Sequence, residues 1–550
     1  MVKISFLGGV GEFGKNITLY ESKKECLIVD CGMMFPESDA LGIDRVIPDF
    51  GYIKAISDKK EIALIITHSH EDHIGAVPFL LEQVEMPVYA SPFAKGLLLN
   101  KLKEMEIKEV KFVDLTKERY FRFGSFNVEP IFVTHSIPES YSMAIHTNDG
   151  IFYHSSDFKF DQTPLDSRLT NFSSIQEIGE RGVTALLIDS TNSEVPGIAT
   201  SEKMVFRTFE KYISFFENRL ILTMFSTNIQ RIRGVLELCK KYNKKVAFLG
   251  RSLFKNIEVA EKLKHLTLYE NVVINSDDIE KYDPSKVVVI ATGSQGEPFS
   301  ALSRIAFDEM KSISIEEKDL VLFSARIIPG NEKRIGRIIN QVYRKGGRVL
   351  TPEDEPSIHA SGHAAKEEIK MLASFVKAKY YIPIHGEFRQ LKENGEIARE
   401  LGYSKENTII TDVGDSLIFK EGALVGRDKV QAGNILLDGE SYDPVGQILL
   451  RERKHLANEG FVLPIVVVNA VDGTFEAEPE VIHRGYPPLE NQLELLEEIK
   501  SNLKNLEKEL SKAEIKDQNI LKAKVKSTVK KSLKKRDSKI PLVIPVVMEV

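Results

Sequence analysis

Three histidines and an aspartate fall within six consecutive residues, directly after an apolar run: Leu64-Ile65-Ile66-Thr67-His68-Ser69-His70-Glu71-Asp72-His73-Ile74-Gly75. The run reads as a buried strand, and the residues that follow it read as the start of a helix. Such a strand end and helix start can aim four side chains at one small volume. Imidazole nitrogen and carboxylate oxygen are ligands for zinc and related divalent ions. His68 and His70 lie two apart and share a face of an extended chain, whereas Asp72 and His73 are adjacent and diverge. That divergence suits two neighbouring ions better than one. With 12 histidines in 550 residues, composition alone does not produce such a cluster.

Four ligands from one loop do not complete two metal sites. Three other apolar runs end in a residue of the same kind: Phe132-Val133-Thr134-His135, Ile151-Phe152-Tyr153-His154-Ser155-Ser156-Asp157 and Tyr380-Tyr381-Ile382-Pro383-Ile384-His385. Each alone is an ordinary strand end. Together with the first cluster they supply what a dinuclear centre needs.

The first 190 residues alternate short strand-like runs with turn signals and a few helical patterns, an α/β arrangement. From about Glu202 the rhythm becomes helix, strand, helix, which predicts a parallel doubly wound unit. Past Gly426 come short strands and turns, a Leu-periodic charged helix from Leu489 to Leu510, a basic tract from Lys522 to Lys539 and an apolar final strand from Ile540 to Val550. The basic tract is read as a solvated helix face. The segment Gly9-Val10-Gly11-Glu12-Phe13-Gly14 has dinucleotide-fingerprint spacing, but the alternating Lys15 to Tyr20 points to a hairpin instead of the required helix. Phe461 to Val468 is too short to span a membrane. Three cysteines and the lack of a secretory pattern at the start predict a cytoplasmic protein. The net charge of −6 argues weakly against a phosphate-rich partner.

These residues are similar to the motifs of the metallo-β-lactamase superfamily. The inserted α/β unit resembles that of its β-CASP branch, and within it the bacterial ribonuclease J group. The resemblance rests on Gly8 to Asn16, His68 to His73, His135-Ser136-Ile137-Pro138-Glu139-Ser140 and Asp157-Phe158-Lys159-Phe160-Asp161. It extends to Thr292-Gly293-Ser294-Gln295-Gly296-Glu297-Pro298, Ile328-Pro329-Gly330-Asn331-Glu332, His359-Ala360-Ser361-Gly362-His363 and His385-Gly386-Glu387. Gln230 stands where a histidine is usual, and Ser155-Ser156 where Thr-Gly is common.

The resemblance implies that His68, His70 and His135 hold one divalent ion and Asp72, His73 and His385 the other, with Asp157 bridging. Zinc is the first expectation, with manganese or magnesium as alternatives. Asp30 would support the metal loop from behind, and His363, oriented by Asp189, would be the general acid. Ser226, Thr227 and Asn228, with His359, Ala360, Ser361, Gly362 and His363, would bind a phosphate and favour RNA with a 5′-monophosphate end. The implied activity is ribonuclease, 5′-to-3′ exonucleolytic and endonucleolytic, on single-stranded RNA in maturation and decay. The alternatives are a DNA nuclease, a hydrolase of small thioesters or lactams, and a non-catalytic RNA-binding scaffold. Homodimers or homotetramers and RNA-degradation or ribosome-associated partners are expected, and no membrane. The implied fold is α/β: an αββα core interrupted by a doubly wound β-CASP insertion, followed by a small C-terminal α+β domain. The expected division is 1–203 core, 204–360 insertion, 361–430 core return, 431–455 linker and 456–550 C-terminal domain.

Overall fold

In the computed structural model, residues 1–36, 40–328, 330–439, 442–485, 492–535 and 540–550 are described. Pro329 and the ends of two expected features, 489–491 of the Leu-periodic helix and 536–539 of the basic tract, lie outside them. The chain divides into two units, Met1–Phe35 with Arg45–Tyr442, and Pro36–Asp44 with Asp443–Val550.

The first unit is built on two sheets. One has eight strands in the order Ala423–Lys429, Asp415–Lys420, Val2–Gly8, Ile17–Glu21, Glu25–Val29, Glu61–Ile65, Val88–Ala90 and Phe112–Asp114. The other has six, in the order Tyr380–Ile384, Ala185–Asp189, Gly150–His154, Ser140–Thr147, Phe126–Val133 and Phe121–Phe123. Alternation along each strand decides what packs where. Ile4, Phe6, Leu27, Val29 and Ile65 of the first sheet meet Val128, Met143, Phe152, Leu187 and Ile382 of the second in one shared core. The intervening Cys26, Ile28 and Leu64 turn outward onto helices Gly51–Ser57 and Pro92–Glu104. Val133, Tyr153, Leu186 and Ile188 turn outward onto Phe172–Glu180, Lys366–Val376 and Phe388–Glu400. The result is the four-layered αββα sandwich.

Ala185–Asp189 and Tyr380–Ile384 are parallel neighbours, and between them the chain makes its long excursion. The excursion contains a parallel sheet in the order Val273–Ile274, Lys245–Leu249, Val287–Ala291, Leu220–Thr223, Leu320–Phe323 and Arg348–Leu350. Its strands are covered on both faces, which is why Val287-Val288-Val289-Ile290-Ala291 reads as an unbroken apolar run. The neck of the excursion is pinned: Asn192 bridges to Ala365, and its Nδ2 donates to Ser361 Oγ at 2.8 Å and the His363 carbonyl at 3.1 Å.

In the second unit, Phe461–Val468 pairs with Glu480–Arg484 and with the final strands Leu542–Val543 and Val546–Glu549. One face of this sheet buries Val462, Val466 and Val468 against Leu495, Ile499 and Leu503 of Gln492–Glu509 and Leu521, Val525 and Val529 of Gln518–Lys534. The Leu-periodic helix thus packs into this unit's own core, as does Val543 of the final strand. Lys524, Lys526, Lys530 and Lys534 of the basic tract lie exposed on the opposite face. The stretch 431–455, read as a linker, holds strand Asn434–Leu437, paired with Arg45–Pro48, and the start of helix Gln447–Glu459. Among the described residues no helix is long and apolar enough to cross a membrane.

Candidate metal centre

Four strands of the six-stranded sheet run in one direction and end at the same edge. His135 follows Phe126–Val133, Asp157 follows Gly150–His154, Asp189 ends Ala185–Asp189, and His385 follows Tyr380–Ile384. His68 follows Glu61–Ile65 of the facing sheet, and His70 is the N-cap of the short helix that carries Asp72 and His73. Asp30, Ser156 and His385 sit at φ 61°, 55° and 54°, a left-handed conformation that costs non-glycine residues energy and is held here by the surrounding packing.

The side chains gather in two sets that share one carboxylate. His70 Nδ1 lies 3.1 Å from His68 Nε2 and 3.0 Å from His135 Nε2, and Asp157 Oδ2 lies 3.4 Å and 3.6 Å from those two Nε2 atoms. On the other side Asp157 Oδ1 lies 3.3 Å from His73 Nε2 and 3.5 Å from His385 Nε2, and Asp72 Oδ2 is 3.2 Å from His385 Nε2 and 3.7 Å from His73 Nε2. Ligands at about 2.1 Å from a tetrahedral ion are about 3.4 Å from one another, so both sets have the spacing of a coordination shell.

The outward-facing nitrogens fix which lone pairs point in. His73 Nδ1–H donates to Asp30 Oδ2 at 2.8 Å, and His135 Nδ1–H to the Gly362 carbonyl at 2.6 Å. Thr191 Oγ1–H donates to Asp189 Oδ1 at 2.7 Å, which leaves Thr191 Oγ1 to accept from His385 Nδ1–H at 2.7 Å. Asp30 also accepts from Thr67 N–H and Oγ1–H, both at 2.8 Å, which ties the His68 loop to the strand behind it. Gly362 admits no side chain: a Cβ there would lie 2.7 Å from the His135 ring.

Burial, and then mutual repulsion, hold His68, His70 and His135 below the usual imidazole range, His70 at about 3. These are neutral rings with lone pairs converging. Burial opposes a positive charge on His73 and His385 too, but the nearby carboxylates outweigh it and push His385 up to about 9. Asp157 resists the upward pull of burial because His385, His73 and His68 surround it, and its carboxyl is held well below the ordinary range. Asp157 Oδ1 is buried and finds no hydrogen-bond donor among the described residues. A buried acceptor-only oxygen left without a donor fits a cation.

His363 stands beside this centre. Its Nδ1 lies 2.7 Å from Asp189 Oδ2 and its Nε2 3.8 Å from Asp157 Oδ2. Burial would lower its pKa, but Asp189 and Asp157 raise it. Of the expected phosphate residues, Ser361 Oγ accepts from Asn192 and from the His363 N–H. Ser226 Oγ accepts from Asn256 Nδ2 at 3.0 Å. Asn228 is buried, and its side chain caps helix Ile229–Lys241. The glycine-rich Gly9 to Gly14 is a hairpin between antiparallel strands, and its Gly9 carbonyl accepts the His385 N–H at 2.7 Å.

Sequence reasoning missed three contributors. Asn16 Nδ2 donates to the Asp72 carbonyl at 3.0 Å and lies 3.1 Å from His73 Nε2. Thr191 relays Asp189 to His385. Arg231, fully buried, forks onto Glu202 Oε1 and Oε2 at 2.7 and 3.2 Å and donates to the carbonyls of Ser324 and Ala360. Only Arg231 left a signal: it falls in line with the apolar Val235 and Leu238 of its helix.

Comparison with known proteins places the whole chain. Residues 10–180 match the metallo-beta-lactamase superfamily, 217–342 the ribonuclease J beta-CASP domain, 356–410 the Zn-dependent metallo-hydrolase RNA specificity domain, and 448–550 the ribonuclease J C-terminal domain. The chain is 35% identical over 516 residues to a ribonuclease J of Helicobacter pylori strain B128, covering 94% of this chain and 74% of the relative. It is 33% identical over 551 residues to a ribonuclease J 2 of Staphylococcus epidermidis strain RP62A, and 34% over 554 residues to one of Staphylococcus aureus strain NCTC 8325, each covering 100% of this chain and 98% of the relative. In fold it is similar to a crystal structure of a protein of unknown function from Enterococcus faecalis V583, with TM-score 0.55 at 13% identity over 76% of this chain and 99% of that one. With these domain matches in chain order and identity sustained from end to end, the chain belongs to the ribonuclease J family, a metallo-β-lactamase fold with a β-CASP insertion and a C-terminal domain.

Proposed function

We propose that this chain is a metal-dependent ribonuclease with two ions, which removes nucleotides from 5′-monophosphate RNA ends in the 5′-to-3′ direction and also cuts internally, in RNA maturation and decay. The observation that carries this reading is Asp157, which turns one oxygen to each of two complete ligand sets. His68, His70 and His135 would hold one ion and Asp72, His73 and His385 the other, with zinc expected first and manganese or magnesium as alternatives. Divalent ions in such a centre activate water and offset charge on a phosphodiester.

The chain's own groups supply the rest. Asp30 and Thr191 lock the ring orientations of His73 and His385. His363, held through Nδ1 by Asp189, presents Nε2 toward the centre and would donate the proton that the leaving sugar oxygen needs. Ser226, Thr227 and Asn228, with residues His359 to His363, would receive the phosphate of single-stranded RNA. Asn228 would act by shaping its loop, since its side chain is already spent as a cap. Homo-oligomers, RNA-degradation or ribosome-associated partners, a cytoplasmic location and the five-part division at 203, 360, 430 and 455 belong to the same proposal.

Two measurements test it. Metal-replete protein is given 5′-monophosphate RNA, 5′-triphosphate RNA and matching DNA. Mononucleotides from the monophosphate RNA alone are expected, and no cleavage of any substrate would sink the reading. His363→Ala is expected to slow the single-turnover step by about 10² to 10⁴, the usual weight of a general acid, with metal content unchanged. A wild-type rate would remove His363 from this role.

A further inference from the structure

The inserted parallel sheet has an open cavity of about 510 Å³ at the carboxyl ends of its strands, outside every group used above. Strand Lys245–Leu249 leads on to Val273–Ile274 at the edge of the sheet, whereas its neighbour Val287–Ala291 leads the other way, to Leu320–Phe323. The two connections part just beyond Leu249 and Ala291. In doubly wound sheets the crevice at such a reversal of strand order is where ligands bind. The cavity is lined from both sides of the parting: Arg251 and Phe254 follow the first strand, and Thr292, Phe299, Arg304 and Met310 follow the second. Its volume falls in the ~300–1,000 Å³ range of small-molecule sites.

The lining has a definite chemistry. It contains two guanidinium groups and no acidic side chain. Arg251 makes no hydrogen bond or ion pair among the described residues, and Arg304 spends one nitrogen on the Glu309 carbonyl at 3.1 Å. Phe254 is 54% exposed with its ring braced edge-on by Phe248, and Phe299 is 85% exposed at φ 60°, a conformation that bulky residues seldom adopt. Aromatic faces beside unpaired arginines suit a planar base joined to a phosphate.

We propose that this cavity binds a nucleoside monophosphate unit, with Arg251 and Arg304 on the phosphate and Phe254 or Phe299 stacked on the base. The unit is a free nucleotide or one residue of an RNA strand. The inference does not depend on cleavage, because binding is read directly.

The full chain contains no tryptophan, so Phe254→Trp places a single indole in the cavity as a reporter, and Phe299→Trp gives an independent second one. AMP is expected to quench either reporter saturably. Adenosine is expected to bind about ten-fold more weakly, and Arg251→Ala or Arg304→Ala in the reporter background to weaken AMP about ten-fold, the usual weight of one charge-assisted hydrogen bond. Inorganic phosphate should displace AMP without quenching. A phosphorothioate RNA pentamer that binds more tightly than AMP assigns the cavity to the RNA strand, and one that binds more weakly assigns it to free nucleotide. The proposal is overturned if neither AMP nor the pentamer quenches either reporter, if adenosine matches AMP, or if both arginine changes leave AMP binding unaltered.

Discussion

Asp157→Asn is expected to lower RNA cleavage by about 10³-fold or more and to reduce the metal bound at both sites. Removing one preorganised electrostatic group costs about 10² to 10³ in rate, and this carboxylate serves two ligand sets at once. Its Oδ2 faces His68 and His135 while its Oδ1 faces His73 and His385, so the amide can replace at most one oxygen. A His68→Ala protein, altered in one set only, is expected to keep part of its metal. The check is metal per chain by elemental analysis, beside cleavage of end-labelled RNA. If Asp157→Asn kept both its metal and its rate, the shared-carboxylate reading would fail.

Arg231→Met is expected to cost about 3–5 kcal/mol of stability in chemical denaturation, because it leaves Glu202 buried with an uncompensated charge. Lys159 cannot take over: its Nζ lies 3.7 Å from Glu202 Oε1 and is also shared with Asp161. The fork reaches four residues in three segments, Glu202, Ser324 and the adjacent His359 and Ala360, so Arg231→Lys should recover charge but not the geometry. A loss under about 1 kcal/mol for Arg231→Met would mean that the cluster is already poorly paired.

The metal-type residues were legible in sequence because each ends an apolar run, where side-chain direction follows from the strand itself. His68, His135, Asp157 and His385 needed no knowledge of their neighbours to be noticed. Asn16 and Thr191 carry no such mark, because they reach the centre only when the hairpin and the strand end close on it. Helix Gln447–Glu459 went unread for another reason: none of its residues is buried, so it lacks the apolar stripe on which helix recognition depends. The Leu-periodic helix was located correctly, but periodicity says only that a face is covered and not by what. Its face turned out to be covered within its own unit. The net charge of −6 likewise speaks for the whole surface, whereas the centre is set by groups such as Asp157 and Asp30 that are about 1% exposed.

The pinned neck at Asn192 and Ala365 makes the inserted domain a cassette on a clasp. Its two ends leave the core side by side, so a sequence of almost any length can hang there without disturbing the sandwich, because loop-closure cost grows only slowly with length. The cutting edge and whatever grips the substrate can therefore diverge separately over generations. Only the clasp, which touches His363, must be kept.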